Sequence, residues 1–307
     1  MNKKLFYVLR TVSDRLRRSK VHAPRLTTEL IIAHALNISR LDVLTSPYRA
    51  LTPFEYIQIE ALLQRRIRGE PLAYIISRRD FYGCELLVSP DVLIPRPESE
   101  KIIEQALCRF SSEDEFLYLD ICTGCGNLAV ALAMEFPNAK GLASDLSSKA
   151  LKIAYKNLFL YNLNTRVQLL QGHLGLCFKA ESIDLIVANP PYLSKDEIQS
   201  IPFEVKGYEP MMALDGGVLG YEKPLELLEQ CHRLLKPGGM VIMEVGGLHL
   251  NRFKEIVHLQ QELWQKTIFY RDNQGYDRIL LAEKCDFKTA RNCKKATPIK
   301  IDKKTKQ

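Results

Sequence analysis

The sequence lacks any apolar run long enough to cross a lipid bilayer, and residues Met1–Lys4 do not begin a secretory signal. A membrane-spanning or secreted protein is therefore not expected, and we predict a cytoplasmic location. The eight cysteines lack the spacing of a small disulfide-stapled domain, which favours free thiols. Cys122 and Cys125 form one Cys-x-x-Cys pair, but no second pair completes a zinc site and no thioredoxin-like unit surrounds them. We predict no metal site.

The body of the chain also lacks net charge. The formal charge is +7, and the stretch from Lys288 to Lys306 accounts for all of it, with eight basic residues and one acid. Proteins that grip nucleic acid more often carry their positive charge on the folded body. Residues 285–307 contain few apolar residues, so we predict a disordered basic tail. Solubility is its simplest role, and a weak contact with RNA or the ribosome is the alternative.

The chain is long enough for one large and one smaller domain. Residues 1–78 are predicted to form a helical bundle. Thr52, Pro53 and Glu55 fit an N-cap, a first-turn proline and a capping-box acid, and apolar residues then recur at helical spacing.

A hairpin linker is predicted for residues 79–98. Phe81-Tyr82-Gly83 lies between the short apolar runs Leu72–Ile76 and Leu86–Val88, which is a hairpin pattern. Ile94-Pro95-Arg96-Pro97-Glu98 follows, and its two prolines stiffen the segment that leads into a helix from Glu100.

Residues 99–284 alternate strands with helices, which indicates a largely parallel sheet covered by helices on both faces. The last two strands, joined by a turn at 273–276, predict an antiparallel edge. The fold class is therefore α/β, a Rossmann-like seven-stranded sheet beside the small bundle. The predicted strands are Phe116–Ile121, Gly141–Ser144, Val167–Leu170, Ile183–Ala188, Met240–Val245, Lys266–Tyr270 and Arg278–Ala282.

The motif Asn189-Pro190-Pro191-Tyr192 directly follows the buried strand Ile183–Ala188. An amide or aromatic amine is a weak nucleophile, and it attacks best when acceptors hold its two hydrogens. The Asn189 side-chain oxygen can accept one hydrogen and the Pro190 carbonyl the other. Proline restricts the backbone that aims this carbonyl, and Tyr192 can stack on the planar group. The motif therefore predicts a catalytic clamp for a planar amine or amide.

A glycine-bearing turn follows the first strand, Asp120-Ile121-Cys122-Thr123-Gly124-Cys125-Gly126, and Asp145 ends the second strand. Such a turn lets a ligand approach the backbone, and an acid at Asp145 can accept ribose hydroxyls. Either a dinucleotide or S-adenosylmethionine fits this pattern. Only two glycines remain and Asp120 would repel pyrophosphate, whereas an acid suits the ammonium of a methionine moiety. Together with the motif at Asn189, this favours a methyl donor.

With these residues in place, the chain resembles the peptide chain release factor glutamine methyltransferases, the HemK/PrmC family. The likeness extends from about residue 24 to 282. Several stretches carry it besides Asn189–Tyr192, namely Gly69-Glu70-Pro71-Leu72-Ala73-Tyr74-Ile75, Phe81-Tyr82-Gly83, Ile94-Pro95-Arg96-Pro97-Glu98, Tyr208-Glu209-Pro210, Ala213-Leu214-Asp215-Gly216-Gly217, Leu235-Lys236-Pro237-Gly238-Gly239 and Asp277-Arg278.

The resemblance implies methylation of the glutamine amide in the Gly-Gly-Gln loop of class I release factors, with S-adenosylmethionine as cofactor and the bundle helping to dock the substrate. It implies that Asn189 contacts cofactor and substrate, and that Pro190, Pro191 and Tyr192 grip the glutamine. Further residues follow from the matched segments. Cofactor contacts would be Asp120, Cys122, Thr123, Gly124, Cys125, Gly126, Asp145, His173 and Leu174, and Arg96 and Glu98 would contact the substrate.

The sequence departs from the family pattern at two places. Cys122 stands where the family usually has the first glycine of its loop, and Gly172-His173-Leu174 stands where an acid usually flanks the adenine. An adenine methyltransferase on DNA or RNA remains the alternative, because it uses the same amine clamp. The neutral body and the absence of a target-reading insertion favour the protein substrate, so nucleic acid is not expected to be required.

Overall fold

The computed structural model describes residues 3–272 and 274–286, and the chain divides into two compact units. The first unit runs through Pro95 and also contains Ser200–Ala213, whereas the second comprises Arg96–Gln199 and the chain from Leu214 onward. The predicted domains were contiguous segments, so they differ from these units in two ways. The hairpin joins the first unit instead of standing between two domains, and a segment from within the predicted catalytic domain joins it too.

Apolar faces of helices meet in the core of the first unit. Leu5, Leu16, Ile32 and Leu63 are completely buried there. The predicted capping box is present, because Glu55 N donates to Thr52 Oγ1 at 3.2 Å and Thr52 N donates to Glu55 Oε2 at 2.7 Å. The helices of this bundle are Leu5–Arg18, Pro24–Leu36, Arg40–Thr45, Pro53–Ile67 and Leu72–Ile76, and its short paired strands are Lys3–Lys4 and Ala50–Leu51.

The hairpin is shorter than the sequence predicted. Its strands are Arg78–Phe81 and Cys84–Leu87, so Tyr82-Gly83 form the turn as expected. The apolar run Leu72–Ile76, which lies within the residues predicted as the helical bundle, is a helix and not part of the hairpin. Five apolar residues without alternation fit a buried helical turn as well as a buried strand, and the contacts of the bundle decide between them.

The segment Ser200–Ala213 is fixed to the first unit by buried polar contacts. The Arg66 guanidinium, only 6% exposed, donates to Glu204 Oε2 at 3.0 Å. The buried Glu209 carboxylate accepts a hydrogen bond from Ile94 N at 3.2 Å. Two of the motifs that carry the resemblance therefore meet here. The segment contains the helix Phe203–Lys206 and a 3-10 turn at Met211–Ala213.

A seven-stranded sheet forms the centre of the second unit, as the sequence predicted. We number its strands β1 to β7 along the chain, and their order across the sheet is β3-β2-β1-β4-β5-β7-β6. β1 to β5 pair in parallel, whereas β7 is antiparallel to both β5 and the edge strand β6. The strands are β1 Leu117–Ile121, β2 Lys140–Asp145, β3 Val167–Gln171, β4 Ile183–Ala188, β5 Leu235–Glu244, β6 Trp264–Arg271 and β7 Asp277–Lys284.

Helices connect these strands and bury their apolar sides against the sheet. Residues of β1, β4 and β5 share one apolar core with the helix Glu222–Leu234 and with Phe253. The helix that carries Phe253, between β5 and β6, was not predicted. The helices of this unit are Glu100–Leu107, Asn127–Glu135, Ser148–Leu160, Lys195–Ser200, Glu222–Leu234 and Leu250–Leu259, with a 3-10 turn at Pro97–Ser99 and a short parallel pair, Leu193–Ser194 with Asp215–Gly217.

The predicted tail boundary at residue 285 is too early. Cys285 is 2% exposed and its thiol lies 3.9 Å from the Glu262 carbonyl oxygen, so the folded body includes it. The basic residues from Lys288 onward, for which disorder and RNA contact were predicted, lie outside the described residues. Within residues 3–272 and 274–286, no helix has the length and apolar character needed to span a membrane.

Candidate active site

The pairing of the parallel strands brings the predicted site residues together at the carboxyl ends of β1, β2, β4 and β5. Ile121 of β1 pairs with Ala188 of β4, and Ala188 pairs with Met243 of β5. The next residues in each chain segment, Cys122, Asn189 and Glu244, therefore leave the parallel strands at the same level. Ser144 of β2 pairs with Ile121 as well, which brings Asp145 to this edge. Ligands of open α/β sheets bind at the carboxyl ends of the strands.

The loop after β1 turns sharply through left-handed backbone. Cys122 has a φ of +62° and Gly124 a φ of +56°. A left-handed φ suits glycine far better than a residue with a side chain, so Cys122 adopts a strained backbone conformation here. Hydrogen bonds fix the turn, because Thr123 N donates to the Ser144 carbonyl at 3.0 Å and Asn157 Nδ2 donates to the Cys125 carbonyl at 2.8 Å.

Asp120 lies completely buried beneath this loop. Its Oδ2 accepts hydrogen bonds from Thr123 Oγ1 at 2.5 Å and from Ala129 N at 3.1 Å. Its Oδ1 is buried without a hydrogen-bond partner among the residues that the structure describes. Burial raises the pKa of Asp120 to about 7, although the two hydrogen bonds oppose this shift. The carboxylate holds the loop and keeps one oxygen free for a further donor.

Asp145 is half-buried at the end of β2. Its Oδ2 accepts from Gly124 N at 2.9 Å and its Oδ1 accepts from Ser147 N at 2.8 Å. Asp145 therefore caps the turn into the next helix and also binds the loop after β1, while its predicted contact with ribose hydroxyls stays a prediction. Burial raises the pKa of the Asp145 carboxyl, and the backbone amides act against this rise. Each carboxylate oxygen retains a second lone pair for a ligand hydroxyl.

The two loop cysteines are inert thiols in this environment. Burial and neighbouring carboxylates raise the pKa of Cys122, and burial raises the pKa of Cys125 to about 12. A thiol with so high a pKa forms little thiolate at neutral pH, so it is a poor nucleophile. Within the described part of the chain, no group of three or more His, Cys, Asp or Glu residues could hold a metal ion.

The segment after β3 places its two predicted cofactor residues differently. Gly172 N donates to the Asp145 carbonyl at 3.1 Å, which ties the segment to the end of β2. The His173 side chain is exposed, with Nδ1 3.7 Å from Glu226 Oε1. Leu174 instead packs into the apolar core of the second unit, with 8% of its surface exposed. The two neighbours therefore face different surroundings.

Four side chains form a continuous hydrogen-bonded chain around the Asn189–Tyr192 motif. Asn189 Nδ2 donates to Ser99 Oγ at 3.1 Å. The Ser99 hydroxyl donates to Glu244 Oε2, and the Tyr192 hydroxyl donates to Glu244 Oε1 at 3.0 Å. Ser99 and Glu244 are 0% and 1% exposed. One buried carboxylate therefore links the first and last residues of the motif.

This arrangement leaves acceptors open. Among the described residues, no donor reaches Asn189 Oδ1 or the carbonyl oxygen of Pro190. Pro190 and Pro191 are buried, so the backbone that carries the carbonyl is packed as well as restricted by its rings.

Gly216, in one of the sequence stretches that carry the resemblance, packs closely against the Asn189–Tyr192 motif. A Cβ at this position would lie 2.6 Å from the Tyr192 Cα and 2.2 Å from the Gly220 carbonyl oxygen. Only glycine allows this close approach, so the Asp215-Gly216-Gly217 segment can pack directly against the motif. The pairing of Leu193–Ser194 with Asp215–Gly217 then holds the chain just beyond Tyr192.

The predicted substrate residues Arg96 and Glu98 are half-buried at the turn that contains Ser99. Both act electrostatically on the motif. Burial and the Glu244 charge raise the pKa of the Tyr192 hydroxyl, and the positive charge of Arg96 opposes this rise. Burial also raises the pKa of Glu244, and the negative charge of Glu98 adds to it.

Sequence reasoning missed Ser99 and Glu244. A signal was present for each, since Ser99 directly follows the Ile94–Glu98 segment and Glu244 ends an apolar strand run. A carboxylate at the carboxyl end of a parallel strand belongs to the edge where ligands bind. The order of the strands was missing, and without it Glu244 could not be placed beside β4.

Comparison with known proteins identifies both units. Residues 8–76 match the family described as PrmC N-terminal domain, and residues 106–202 match the methyltransferase small domain. A release factor glutamine methyltransferase of Nitratidesulfovibrio vulgaris is 35% identical over 278 residues, covering 90% of this chain and 94% of that protein. One from Caulobacter vibrioides is 35% identical over 271 residues, covering 88% of this chain and 93% of its own length.

A solved methyltransferase structure from Pyrococcus furiosus is also similar, with a TM-score of 0.48 and 23% identity, covering 72% of this chain and 97% of that one. Both bacterial relatives are 35% identical to this chain over most of the length of each protein. The resemblance seen in the motifs is thereby confirmed, and the chain belongs to the family of release factor glutamine methyltransferases and is a methyltransferase enzyme.

Proposed function

We propose that this methyltransferase methylates the side-chain amide nitrogen of the glutamine in the Gly-Gly-Gln loop of peptide chain release factors, with S-adenosylmethionine as the methyl donor. The observation that carries the proposal is the fixed amide of Asn189. Its Nδ2 is committed to Ser99, so its Oδ1 is the atom available to a substrate.

The two open acceptors suit a primary carboxamide. Such a group carries two hydrogens on one nitrogen, and its lone pair is delocalised into the carbonyl. Asn189 Oδ1 accepts one hydrogen and the Pro190 carbonyl accepts the other, which orients the nitrogen toward the electrophile. No side chain need remove a proton before the attack, because positioning supplies the catalytic advantage. The ring of Tyr192 supports the planar group.

Two features of the loop support S-adenosylmethionine as the cofactor. The unpaired, buried Oδ1 of Asp120 can accept a donor such as an ammonium, directly or through water. A Cβ at Gly124 would meet no atom within 4 Å, so the space over the loop is open. Asp145 would accept the ribose hydroxyls, and the exposed His173 would lie beside the adenine. When bound, this cofactor supplies a methyl group on a sulfonium, which a weak nucleophile can attack.

The first unit would dock the release factor. Large apolar side chains stand exposed on its surface, among them Tyr7, Tyr48, Phe54 and Ile57, each more than 60% exposed. Exposed aromatic and aliphatic side chains favour contact with a protein partner. We propose release factors as the partners of the cytoplasmic enzyme, with no requirement for nucleic acid, and a weak RNA contact through the basic tail as an accessory.

The test is direct. The enzyme is incubated with labelled S-adenosylmethionine and, in separate reactions, with purified release factor, with release factor whose loop glutamine is replaced by asparagine, and with adenine-containing DNA and RNA. The label is located by mass spectrometry of the digested product. We expect one methyl group on the loop glutamine and none on the asparagine variant.

Two results would contradict the proposal. Label on adenine, with the release factor unmodified, would favour the adenine methyltransferase alternative. Label at another side chain of the release factor would keep the partner but reject the glutamine clamp. Asn138→Ala, an exposed asparagine far along the chain from the motif, serves as a matched control for variants of Asn189.

A further inference from the structure

We infer that Ser99 and Glu244 are positioning residues for methyl transfer, because they fix which way the Asn189 amide faces. The inference rests on the proposed function and adds two residues to which no comparison assigns a role. Three elements contribute: the turn Pro97–Ser99, the end of β4 and the end of β5.

The amide of an asparagine side chain has an oxygen and an NH2 group of nearly equal size, so packing alone does not determine which of its two orientations it adopts. Hydrogen bonds determine which of the two orientations the asparagine amide adopts. Ser99 Oγ could accept from Nδ2 or donate to Oδ1, and each choice presents a different atom of Asn189 to the substrate. A donor facing the substrate would repel the hydrogens of a carboxamide, so only one orientation serves catalysis.

Glu244 removes this ambiguity. An ionised carboxylate accepts hydrogen bonds and donates none. The Ser99 hydroxyl hydrogen therefore points to Glu244 Oε2, and only the lone pairs of Ser99 Oγ remain for Asn189. Asn189 must then present Nδ2 to Ser99 and Oδ1 to the open side. The direction of each bond follows from the charge of one buried carboxylate.

The same carboxylate fixes the other end of the motif. Its Oε1 accepts from the Tyr192 hydroxyl at 3.0 Å, so both oxygens are occupied. Two hydroxyl donors stabilise the ionised form against the burial that raises the pKa of Glu244. The positive charge of Arg278 also favours ionisation, whereas the negative charge of Glu98 opposes it. Ser99, Tyr192, Arg278 and Glu98 therefore act together with burial on the pKa of Glu244.

Variants separate positioning from simple stability. In Ser99→Ala, Asn189 loses its anchor and one oxygen of a buried carboxylate loses its donor, so we expect kcat to fall about 10- to 100-fold and the melting temperature to fall. In the double variant Ser99→Ala/Glu244→Gln, the glutamine can turn its oxygen to Tyr192, and an unpaired NH2 group, which costs less to bury than a charge, replaces the unpaired carboxylate oxygen. We expect the melting temperature to recover while kcat stays low.

Glu244→Leu completes the test. The Ser99 hydroxyl is then released and can donate to Asn189 Oδ1, so kcat should fall by a similar factor. The Ser99→Ala/Glu244→Leu variant should be no slower than the slower single variant, because both act through Asn189. Acid should also lower kcat of the wild type as Glu244 gains a proton, and Glu244→Leu should lack this step. Ser182→Ala, at a half-buried position, and Glu255→Gln, at an exposed one, are the matched controls outside the motif.

Each outcome decides something. Ser99→Ala with kcat within twofold of wild type, or a double variant whose kcat recovers together with its melting temperature, would overturn the inference. So would a melting temperature that Glu244→Gln fails to restore, because Ser99 and Glu244 would then not be coupled. A wild type that leaves release factor unmodified would contradict the proposed function alone, and the melting temperatures would still decide the coupling.

Discussion

The loop after β1 and the Asn189–Tyr192 motif both lie at the carboxyl ends of the parallel strands, yet different kinds of hydrogen bond hold them in place. Asp145 and Asp120 are bound mainly by backbone amides, those of Gly124, Ser147 and Ala129. The motif is held by side chains that bind one another through a buried carboxylate.

This difference suggests how each region tolerates change. A loop held through its backbone can accept a cysteine at residue 122, because no bond in the loop depends on the side chain there. The cost is the left-handed φ of +62°, which the surrounding hydrogen bonds sustain. A network of buried side chains has no such freedom, because each missing partner leaves a polar atom unpaired. We therefore expect larger effects from substitutions at the motif than at the loop.

The largest effect is expected from Asn189→Ala. The variant removes the acceptor that we propose orients the substrate nitrogen, and loss of one such preorganised group typically lowers kcat by about 100- to 1,000-fold. Folding should be retained because the side chain is half-buried. Methyl transfer to purified release factor and thermal melting measure the two effects. If kcat of this variant stays within a few-fold of the wild type and of the Asn138→Ala control, the Asn189 side chain does not orient the substrate amide.

Variants of Tyr192 separate two contributions to the motif, the proposed stacking of the ring and the hydrogen bond from the hydroxyl to Glu244. Tyr192→Ala loses both and should lower kcat about 100-fold. Tyr192→Phe keeps the ring for stacking and loses the bond to Glu244, which corresponds to about 1–2 kcal/mol and a fall of roughly tenfold. Steady-state rates of the two variants test this. Equal rates for both would mean that the hydroxyl, and not stacking, is the part that matters.

The buried carboxyl under the loop predicts a pH effect on stability. The pKa of Asp120 is about 7 in the folded protein, above the ordinary value of 3.8, so the folded state retains a proton that the unfolded chain releases. The free energy of unfolding should therefore decrease as the pH rises from 5 to 7, by about 2 kcal/mol from this group, and change little above pH 8. Chemical denaturation measures it. Asp120→Asn should flatten this part of the profile, and an unchanged slope would exclude Asp120 as its source.

A smaller effect is expected from Asp145→Asn. The asparagine retains one oxygen acceptor but loses the charge and one acceptor, which serves the Gly124 amide and, in the proposed function, the ribose hydroxyls. We expect KM for S-adenosylmethionine to rise about tenfold with kcat nearly unchanged, because uniform binding is lost. A fall in kcat at saturating cofactor would show that this end of the sheet also orients the reaction.

The smallest effect is expected from removal of residues 287–307, which lie beyond the residues that the structure describes. The residues that carry the proposed function all lie within the described part of the chain, so kcat on purified release factor should stay within about twofold of the full chain. Rates in low and high salt are compared, because a tail that contacts the substrate through its lysines would be sensitive to ionic strength. A tenfold fall would make the tail part of substrate binding.

Much of this molecule is readable from local sequence. The capping box at Thr52–Glu55 needs only three residues and their neighbours, and it forms as predicted. Alternating apolar runs and helical segments gave the seven strands within one or two residues at most ends, because a buried parallel strand leaves little choice of residue type. The predicted site residues Asp120–Gly126, Asp145 and Asn189–Tyr192 lie at the strand ends where the sequence placed them, and their roles stay predictions.

Sequence patterns were weaker where two elements could use the same residues. Leu72–Ile76 was noted only as an apolar run beside the hairpin, and its composition fits a helix or a strand; in the structure it is a helix. Segment Ser200–Ala213 was expected within the catalytic domain and packs with the first unit, through Arg66–Glu204 and Ile94–Glu209. Pairs separated by more than 100 residues leave no local signal of their partner.

The sequence by itself determined the alternation of strands and helices, the glycine-bearing turn and the position of the Asn189–Tyr192 motif after β4, because each depends on residues within a few positions of one another. Only the tertiary structure decided that Ser99 and Glu244 meet Asn189. Their hydrogen bonds join residues 90 and 145 positions apart, and these atoms become neighbours when β5 pairs with β4 and the turn at Pro97–Ser99 packs beside them. The direction in which an amide faces is set by such distant partners, and no local pattern specifies it.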